Sequence, residues 1–385
     1  MNFLWASIFF LLPLLGLAYV GWHVWLLLPW GALAKSHVLV LGVASFLLLF
    51  FDVSGRLDAM SLSLARVLYK IGTSSLFILL YLVMLFLVLD LGRLCHVVPR
   101  SWLYANGWTA FGVAAVIISV FSYGYLRYRH KVRVPLKVHT TKPLARPLRV
   151  VMVSDLHLGY HNDRRELARW VDLMNAEHPD FILIAGDIVD LSVRPLLDED
   201  MAAEFRRLSA PVYACLGNHE YYSGQPRARQ FYRDAGIRLL IDEVALLPQK
   251  PSAKGEGTPI VLIGRDDRTN RRRKPLSYLM DEAHAVVRTF FPRQTKGEGV
   301  FIVLDHQPYH LEKAEREGVD FQLSGHTHRG QVWPASWLTD WMYECSWGPQ
   351  RRGRTQYYVS SGIGIWGGRF RIGTQSEYVV ATFTN

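Results

Sequence analysis

The sequence predicts an N-terminal four-helix transmembrane region followed by a layered α/β domain. Three observations carry that expectation. Charge is split along the chain: residues 1–126 hold six Lys+Arg, three Asp and no Glu, whereas the remaining 259 residues hold 67 charged side chains. Four apolar runs in the first third approach the roughly 20 residues that a helix needs to cross a bilayer. From Leu148 onward, short β-branched runs ending in polar loops alternate with helical stretches, the pattern of a layered α/β domain. The 385-residue chain is half hydrophobic with a formal charge of +10. That excludes a disordered tail, a collagen and a small disulfide scaffold.

The spans are read at 3–28, at 37–51 with a backward extension towards Gly31, at 72–90 and at 108–126. The first has no positive leading segment and no small-residue cleavage site, so it reads as a retained helix rather than a signal peptide. Trp22, Trp25 and Trp30 suit the interfacial aromatic belt. Basic residues in the short connections set the orientation. Arg56, Arg66, Lys70, Arg127, Arg129, Lys131, Arg133 and Lys137 lie on one side, and Lys35, Arg93 and Arg100 on the other. This asymmetry predicts a multi-pass protein of the cell membrane with its C-terminal domain in the cytoplasm. Residues 127–147 read as a basic linker, and 127–149 hold eight Lys+Arg and no acid. Such a stretch suits an anionic membrane surface, at about 1 kcal/mol per basic residue. A solvated flank without specific lipid is the alternative.

The domain is expected over 148–385. Its strands are read in LRVVMVSD, FILIAGD, PVYACLGN, PIVLIG, GVFIVLDH, VDFQLSGH and TQYYVSSG, with helical stretches at 163–178 and 198–208 and a surface loop at 249–258. Most of these strands end in residues that ligate metals. The first ends in Asp155-Leu156-His157 and the second in Gly186-Asp187. The third ends in Gly217-Asn218-His219-Glu220, the fifth in Asp305-His306 and the sixth in Gly325-His326-Thr327-His328. Carboxyl ends of strands converge on one sheet edge, where open α/β folds place their sites. Asp and Asn oxygens with His nitrogens suit Mn, Fe or Zn. In Asp155-x-His157 and His326-x-His328, an extended backbone would point both side chains the same way. Gly186, Gly217 and Gly325 permit tight turns.

The ordered set D-x-H, GD-x-x-D, GNH-E, a lone His and GH-x-H resembles the calcineurin-like metallophosphoesterase superfamily. The resemblance implies two sheets flanked by helices and two divalent metal ions, manganese, iron or zinc. It implies Asp155, His157 and His328 at the first metal, Asn218, His306 and His326 at the second, and Asp187 bridging them. His219 would face the scissile phosphate. A hydroxide held between the metals would attack phosphorus, with His219 assisting the leaving group. The closing stretch SSGIGIWGGRFRIGTQSEYVV is similar to the membrane-associated branch, which includes cell-envelope phosphodiesterases and a membrane-anchored UDP-diacylglucosamine hydrolase of lipid A synthesis. Arg329 departs from the glycine of many relatives; it would narrow the pocket or supply a phosphate contact.

The neighbouring residues carry blander expectations. Asp190 reads as a loop cap, with a catalytic carboxylate as the alternative. Glu220 would orient a ligand or backbone group. His161 and His310 read as surface or rim histidines, Cys215 and Cys345 as packing residues, and Cys95 sits in the apolar third. Arg271-Arg272-Arg273-Lys274 reads as a solvated loop, with phosphate or anionic-lipid capture as the sharper reading. Without interleaved aromatics it is no nucleic-acid footprint, so no nucleic-acid partner is expected. Trp333, Trp337 and Trp341 would share one helical face, with Pro334 setting its start. The expected partners are membrane lipids and a phosphorylated, lipid-linked substrate. The competing readings are a broad phosphodiesterase on soluble nucleotides and a non-catalytic membrane scaffold.

Overall fold

The apolar runs of the first third form four helices: α1 (Phe3–Leu27), α2 (Ala32–Val53), α3 (Leu62–Leu94) and α4 (Gly107–Arg129). The computed structural model describes residues 3–53, 55–248, 257–292 and 299–385. Among these, Ala32–Phe51, Leu62–Leu94 and Gly107–Arg129 are long and apolar enough to cross a membrane, and Leu11–Leu27 is a shorter apolar stretch. The second span does extend backwards, to Ala32. The third outgrows the expected 72–90 at both ends. Arg66, Lys70 and Arg93 lie near the helix ends, where long basic side chains keep their charge out of apolar surroundings. Gly72 lets α2 and α3 touch: a Cβ there would lie 2.9 Å from the Leu48 carbonyl carbon. Val20, Leu27, Phe46, Leu79 and Phe86 fill the helical core.

The chain divides into two units, Met1–Leu126 with Gly367–Phe370, and Arg127–Trp366 with Arg371–Asn385. The second corrects the expected linker at 127–147. Helix α4 runs on to Arg129, and Lys131–His139 is a strand, β1, paired in parallel with the C-terminal strand β12 (Ser376–Thr384). The physical reason is its period-2 pattern: Val134, Leu136 and Val138 join the core between the sheets, while Arg133 faces outward to Glu177. Pro135 is tolerated because β1 is an edge strand.

The remaining strands are β2 (Leu148–Val153), β3 (Phe181–Ala185), β4 (Val212–Cys215), β5 (Arg238–Leu239), β6 (Glu243–Leu246), β7 (Ile260–Gly264), β8 (Val300–Leu304), β9 (Phe321–Ser324), β10 (Gly348–Arg352) and β11 (Thr355–Val359). They form two six-stranded mixed sheets, in the orders β1-β12-β2-β3-β4-β5 and β10-β11-β9-β8-β7-β6. The helices are α5 (Arg164–Ala176), α6 (Arg194–Asp198), α7 (Met201–Phe205), α8 (Asn218–Tyr222), α9 (Gln225–Asp234), α10 (Leu276–Phe290), α11 (Leu311–Arg316) and α12 (Ala335–Met342).

Side-chain alternation builds the layers. Val150, Met152, Leu183 and Ala185 point between the sheets, towards Leu262, Ile302 and Leu323. Val151, Val153, Ile182 and Ile184 point outward, under Trp170 and Met174 of α5. On the second sheet, Val261, Ile263 and Val303 pack outward against α10 and α11. The central strands β2, β3 and β4 run parallel to one another, as do β7, β8 and β9. Their carboxyl ends carry the ligating residues. The loop expected at 249–258 lies, over 249–256, outside the described residues.

Candidate metal centre

After three of the ligand-bearing strands, β2, β3 and β9, the chain enters the left-handed region. Asp155 (φ 53°), His157 (44°), Asp187 (53°), His326 (72°) and His328 (48°) all adopt positive φ. This corrects the extended geometry expected for Asp155-x-His157 and His326-x-His328. The paired side chains converge through left-handed kinks rather than strand alternation. Such conformations are costly for non-glycine residues and collect at functional sites. Gly186, at φ 79°, and Gly217 make room for them. A Cβ on Gly217 would sit 2.1 Å from Asp187 Oδ1, and one on Gly186 would sit 2.8 Å from His306 Nδ1.

These kinks, with the turns that follow β4 and β8, bring the seven proposed ligands together. Asp155, His157 and His328 form one group of donor atoms, and Asp187, His306 and His326 form another. His157 Nε2 and His328 Nε2 are 3.0 Å apart, with Asp155 Oδ1 3.5 Å from the latter. Asp187 Oδ2 lies 3.7 Å from His157 Nε2 and 3.1 Å from His306 Nε2, between the groups. Asn218 Oδ1 meets His326 Nδ1 at 2.8 Å and His306 Nε2 at 3.2 Å. His306 Nδ1 faces the Ala185 carbonyl at 2.7 Å, which leaves Nε2 for the centre.

Electrostatics favour the ligating form at three of these donors, His326, His328 and Asp187, whereas His306 is pushed up by Asp187 and Asp155 is pushed up by burial. Burial pushes His326 down to about 3, helped by His306, and burial with His157 and Arg371 lowers His328 too. Both imidazoles are then neutral, the form that ligates a metal. Burial opposes the charge on Asp187, yet His306 and His219 hold its carboxyl well below the usual range. Buried, converging oxygen and nitrogen donors with two neutral imidazoles fit two divalent transition-metal ions.

His219 follows Asn218 at the start of α8, its backbone N–H donating to Asp187 Oδ1 at 2.9 Å. Its ring stands edge-on to His157, with centroids 4.5 Å apart. Asp190 Oδ1 lies 3.3 Å from the Nδ1 atoms of both His157 and His219. These are charge contacts without hydrogen-bond alignment. Asp190 is therefore more than a loop cap. Burial works against a charge on His219, but Asp187 and Asp190 push it up to about 9. Bound divalent cations would act in the opposite direction. Glu220 acts on the backbone as expected. It accepts from Gly217 N at 2.7 Å, Asp187 N at 3.2 Å and Val189 N at 3.0 Å, tying two ligand loops together.

Sequence reasoning missed Arg371. Its guanidinium is fully buried and donates to the carbonyls of His328 (2.9 Å), Gly364 (2.8 Å) and Ser361. It thereby pins the GH-x-H turn to the loop after β11. His161 is a second correction: it is buried, because Leu158–Asn162 folds inward and Gly159 N bonds the Asn162 carbonyl. In the basic run, Arg273 binds Asp305 at 3.0 Å and the Lys274 N–H binds Asp242, while Arg271 and Arg272 stay exposed. Arg329 lies over the Trp347 ring, 4.5 Å from its centroid. Cys215 and Cys345 are buried, and Cys95 is exposed.

Residues 148–330 match the calcineurin-like phosphoesterase family. Over that stretch, just under half of its length, the chain is similar to calcineurin-like phosphoesterases. A transmembrane protein with metallophosphoesterase domain from Danio rerio is 32% identical over 60% of this chain and 52% of that protein. An uncharacterized metallophosphoesterase of Campylobacter jejuni is 28% identical over 70% of this chain and 68% of its own length. A phosphodiesterase of Escherichia coli is 26% identical over 57% of this chain and 76% of its own. The chain spans about half of the Danio rerio relative.

Proposed function

We propose that this protein is a membrane-embedded dimetal phosphoesterase that hydrolyses a phosphodiester or pyrophosphate bond of a lipid-linked substrate on the cytoplasmic side. The convergence of Asp155, His157, Asp187, Asn218, His306, His326 and His328 carries the hydrolase reading. When bound, two divalent ions supply Lewis acidity to the phosphoryl oxygens and acidify a water molecule. The chain's own residues do the rest. Asp187 sits between the two donor groups and fixes their spacing. His219, with Nδ1 turned to Asp190, keeps Nε2 for the leaving oxygen and holds a proton for it. Glu220 and Arg371 keep the ligand loops in register.

An aromatic lip supports the lipid-linked substrate. Helix α12 packs on the turn His328–Gly330 and exposes Trp337 (65%), Leu338, Trp341 (79%) and Met342. Tyr343, the next residue, lies 6.3 Å from the His326 ring, centroid to centroid. Exposed apolar patches of this kind mark contact with apolar ligands or surfaces. Arg329, beside the metal ligands, is available to the phosphate. The test uses the full chain with Mn²⁺ and a lipid-linked pyrophosphate beside its delipidated head group. Trp337→Ser with Trp341→Ser should raise KM for the lipid-linked form alone. Equal rates on both substrates would favour soluble nucleotides and remove the lipid reading.

A further inference from the structure

The helical unit holds a feature that the phosphoesterase chemistry does not use. Helices α1 and α3, with the loop that follows α3, line two open clefts in succession along one seam. The first, about 450 Å³, is lined by Leu12, Leu15, Gly16, Leu80, Val83 and Leu87, with Tyr19 at its edge. The second, about 660 Å³, is lined by Trp22, Asp90, Arg93, His96 and Arg100. Both volumes fall in the range of ligand sites. The lining residues recur at three- and four-residue steps, 12-15-16-19-22 on α1 and 76-80-83-87-90-94 on α3. One face of each helix therefore carries both clefts. Gly16 keeps the apolar cleft open on the α1 side, and a Cβ there would already lie 3.2 Å from Val83 Cγ2.

A polar cluster joins the two. Tyr19 Oη donates to Asp90 Oδ2 at 2.7 Å, and His23 Nε2 lies 2.9 Å from the same oxygen. His23 is buried and stacks on Phe86, with centroids 4.6 Å apart. Asp90 Oδ1 has no protein donor among the described residues, and the side chain keeps 31% exposure into the polar cleft. Ionisable groups inside a helical membrane region are expensive and mark functional sites. An apolar groove running into a cleft that holds two arginines and a carboxylate acceptor has the polarity of a phospholipid. The arginines match a phosphate, the free carboxylate oxygen matches a headgroup N–H or O–H donor, and the groove matches an acyl chain.

We infer that the α1–α3 seam binds one glycerophospholipid with a donor-bearing headgroup, its phosphate between Arg93 and Arg100 and an acyl chain in the groove beside Gly16. The site belongs to the helical unit and does not depend on the chemistry of the metal centre. The test is native mass spectrometry of the delipidated full chain with four probes. These are a phosphatidylethanolamine, a phosphatidylcholine of the same chains, the matching diacylglycerol and soluble glycerophosphoethanolamine. The expected result is one phosphatidylethanolamine per chain, phosphatidylcholine at least fivefold weaker, no diacylglycerol and no competition from the soluble head group. Arg93→Ala with Arg100→Ala, and separately Val83→Trp, should each lower occupancy at least tenfold while melting as the unmodified chain does. If a variant fails to fold, the probe series on the unmodified chain still decides. Equal retention of all three lipids, undiminished retention in folded variants, or a stable dimer in place of bound lipid would overturn the inference.

Discussion

Asp190 touches two imidazoles at once, and this is the residue-scale lesson of the site. Its motif position predicts a loop cap, because nothing in GD-x-x-D reveals that the following turn leads back beneath His157 and His219. Those histidines lie 33 residues before and 29 residues after it. Arg371 is equally silent in sequence, since the His328 carbonyl that it binds is 43 residues away. The seven proposed ligands are legible because each sits in a short motif at a strand end. The left-handed backbone is not, because side-chain spacing alone does not distinguish a kink from an extended pair. Two consequences can be measured. Gly217→Ala, whose new methyl would collide with Asp187, should lower bound metal and cut turnover on a phosphodiester by about 10–100-fold, the usual effect of disturbing a ligand's support. Metal analysis and kcat read it, and full metal occupancy with full turnover would contradict it. Arg371→Met leaves several buried carbonyls without a donor, at about 1–3 kcal/mol each. It should lower the urea midpoint and weaken metal binding together, and an unchanged midpoint would show that the clamp carries no strain-free hold on the loop.

At the scale of elements, β1 changes the picture most. A run of eight basic residues without acids reads as a linker, and its charge drew attention from the alternation of Val134, Leu136 and Val138 beneath it. Nine residues of β1 pair with β12, so a fragment starting at Leu148 exposes the β12 edge. Exposed strand edges aggregate. Residues 148–385 should therefore be markedly less soluble than 127–385, read by size-exclusion chromatography of both, and equal behaviour would place β1 outside the folding unit. The same strand brings Arg133 to Glu177, where Arg149 also binds. The Arg133 contact, with Arg149 behind it, holds the Glu177 carboxyl below its ordinary value despite burial. A carboxylate with a lowered folded pKa contributes stability above its unfolded value, near 4.3. That contribution is lost as pH falls through the folded value. The urea-midpoint gap between the unmodified chain and Glu177→Gln should thus be present at pH 6 and shrink below about pH 4. A gap independent of pH would assign the effect to packing. The sheet core is ordinary by comparison: Leu183→Ala, fully buried between the sheets, should cost about 2–5 kcal/mol.

For the whole molecule, the split in charge that opens the sequence maps onto two units that divide at Leu126 and Arg127. The apolar third became helices, most of them of membrane length, and the rest an α/β unit in which residues 148–330 match the calcineurin-like phosphoesterase family. Of the eight basic residues that mark the boundary, Lys131, Arg133 and Lys137 belong to a strand and Arg127 and Arg129 to the end of α4. A reporter fused after Asn385 should be active only in its cytoplasmic form, and activity outside the cytoplasm would reverse the proposed side. The central claim is that the strand-end donors hold two metal ions that serve phosphoester hydrolysis. Metal content and turnover measured on one sample of the full chain test it most directly. The account predicts about two divalent ions per chain, turnover on a phosphodiester that a chelator abolishes and Mn²⁺ restores, and loss of that turnover in His219→Ala with the metals retained. A chain that binds no divalent ion and turns over no phosphodiester with any of them would contradict it.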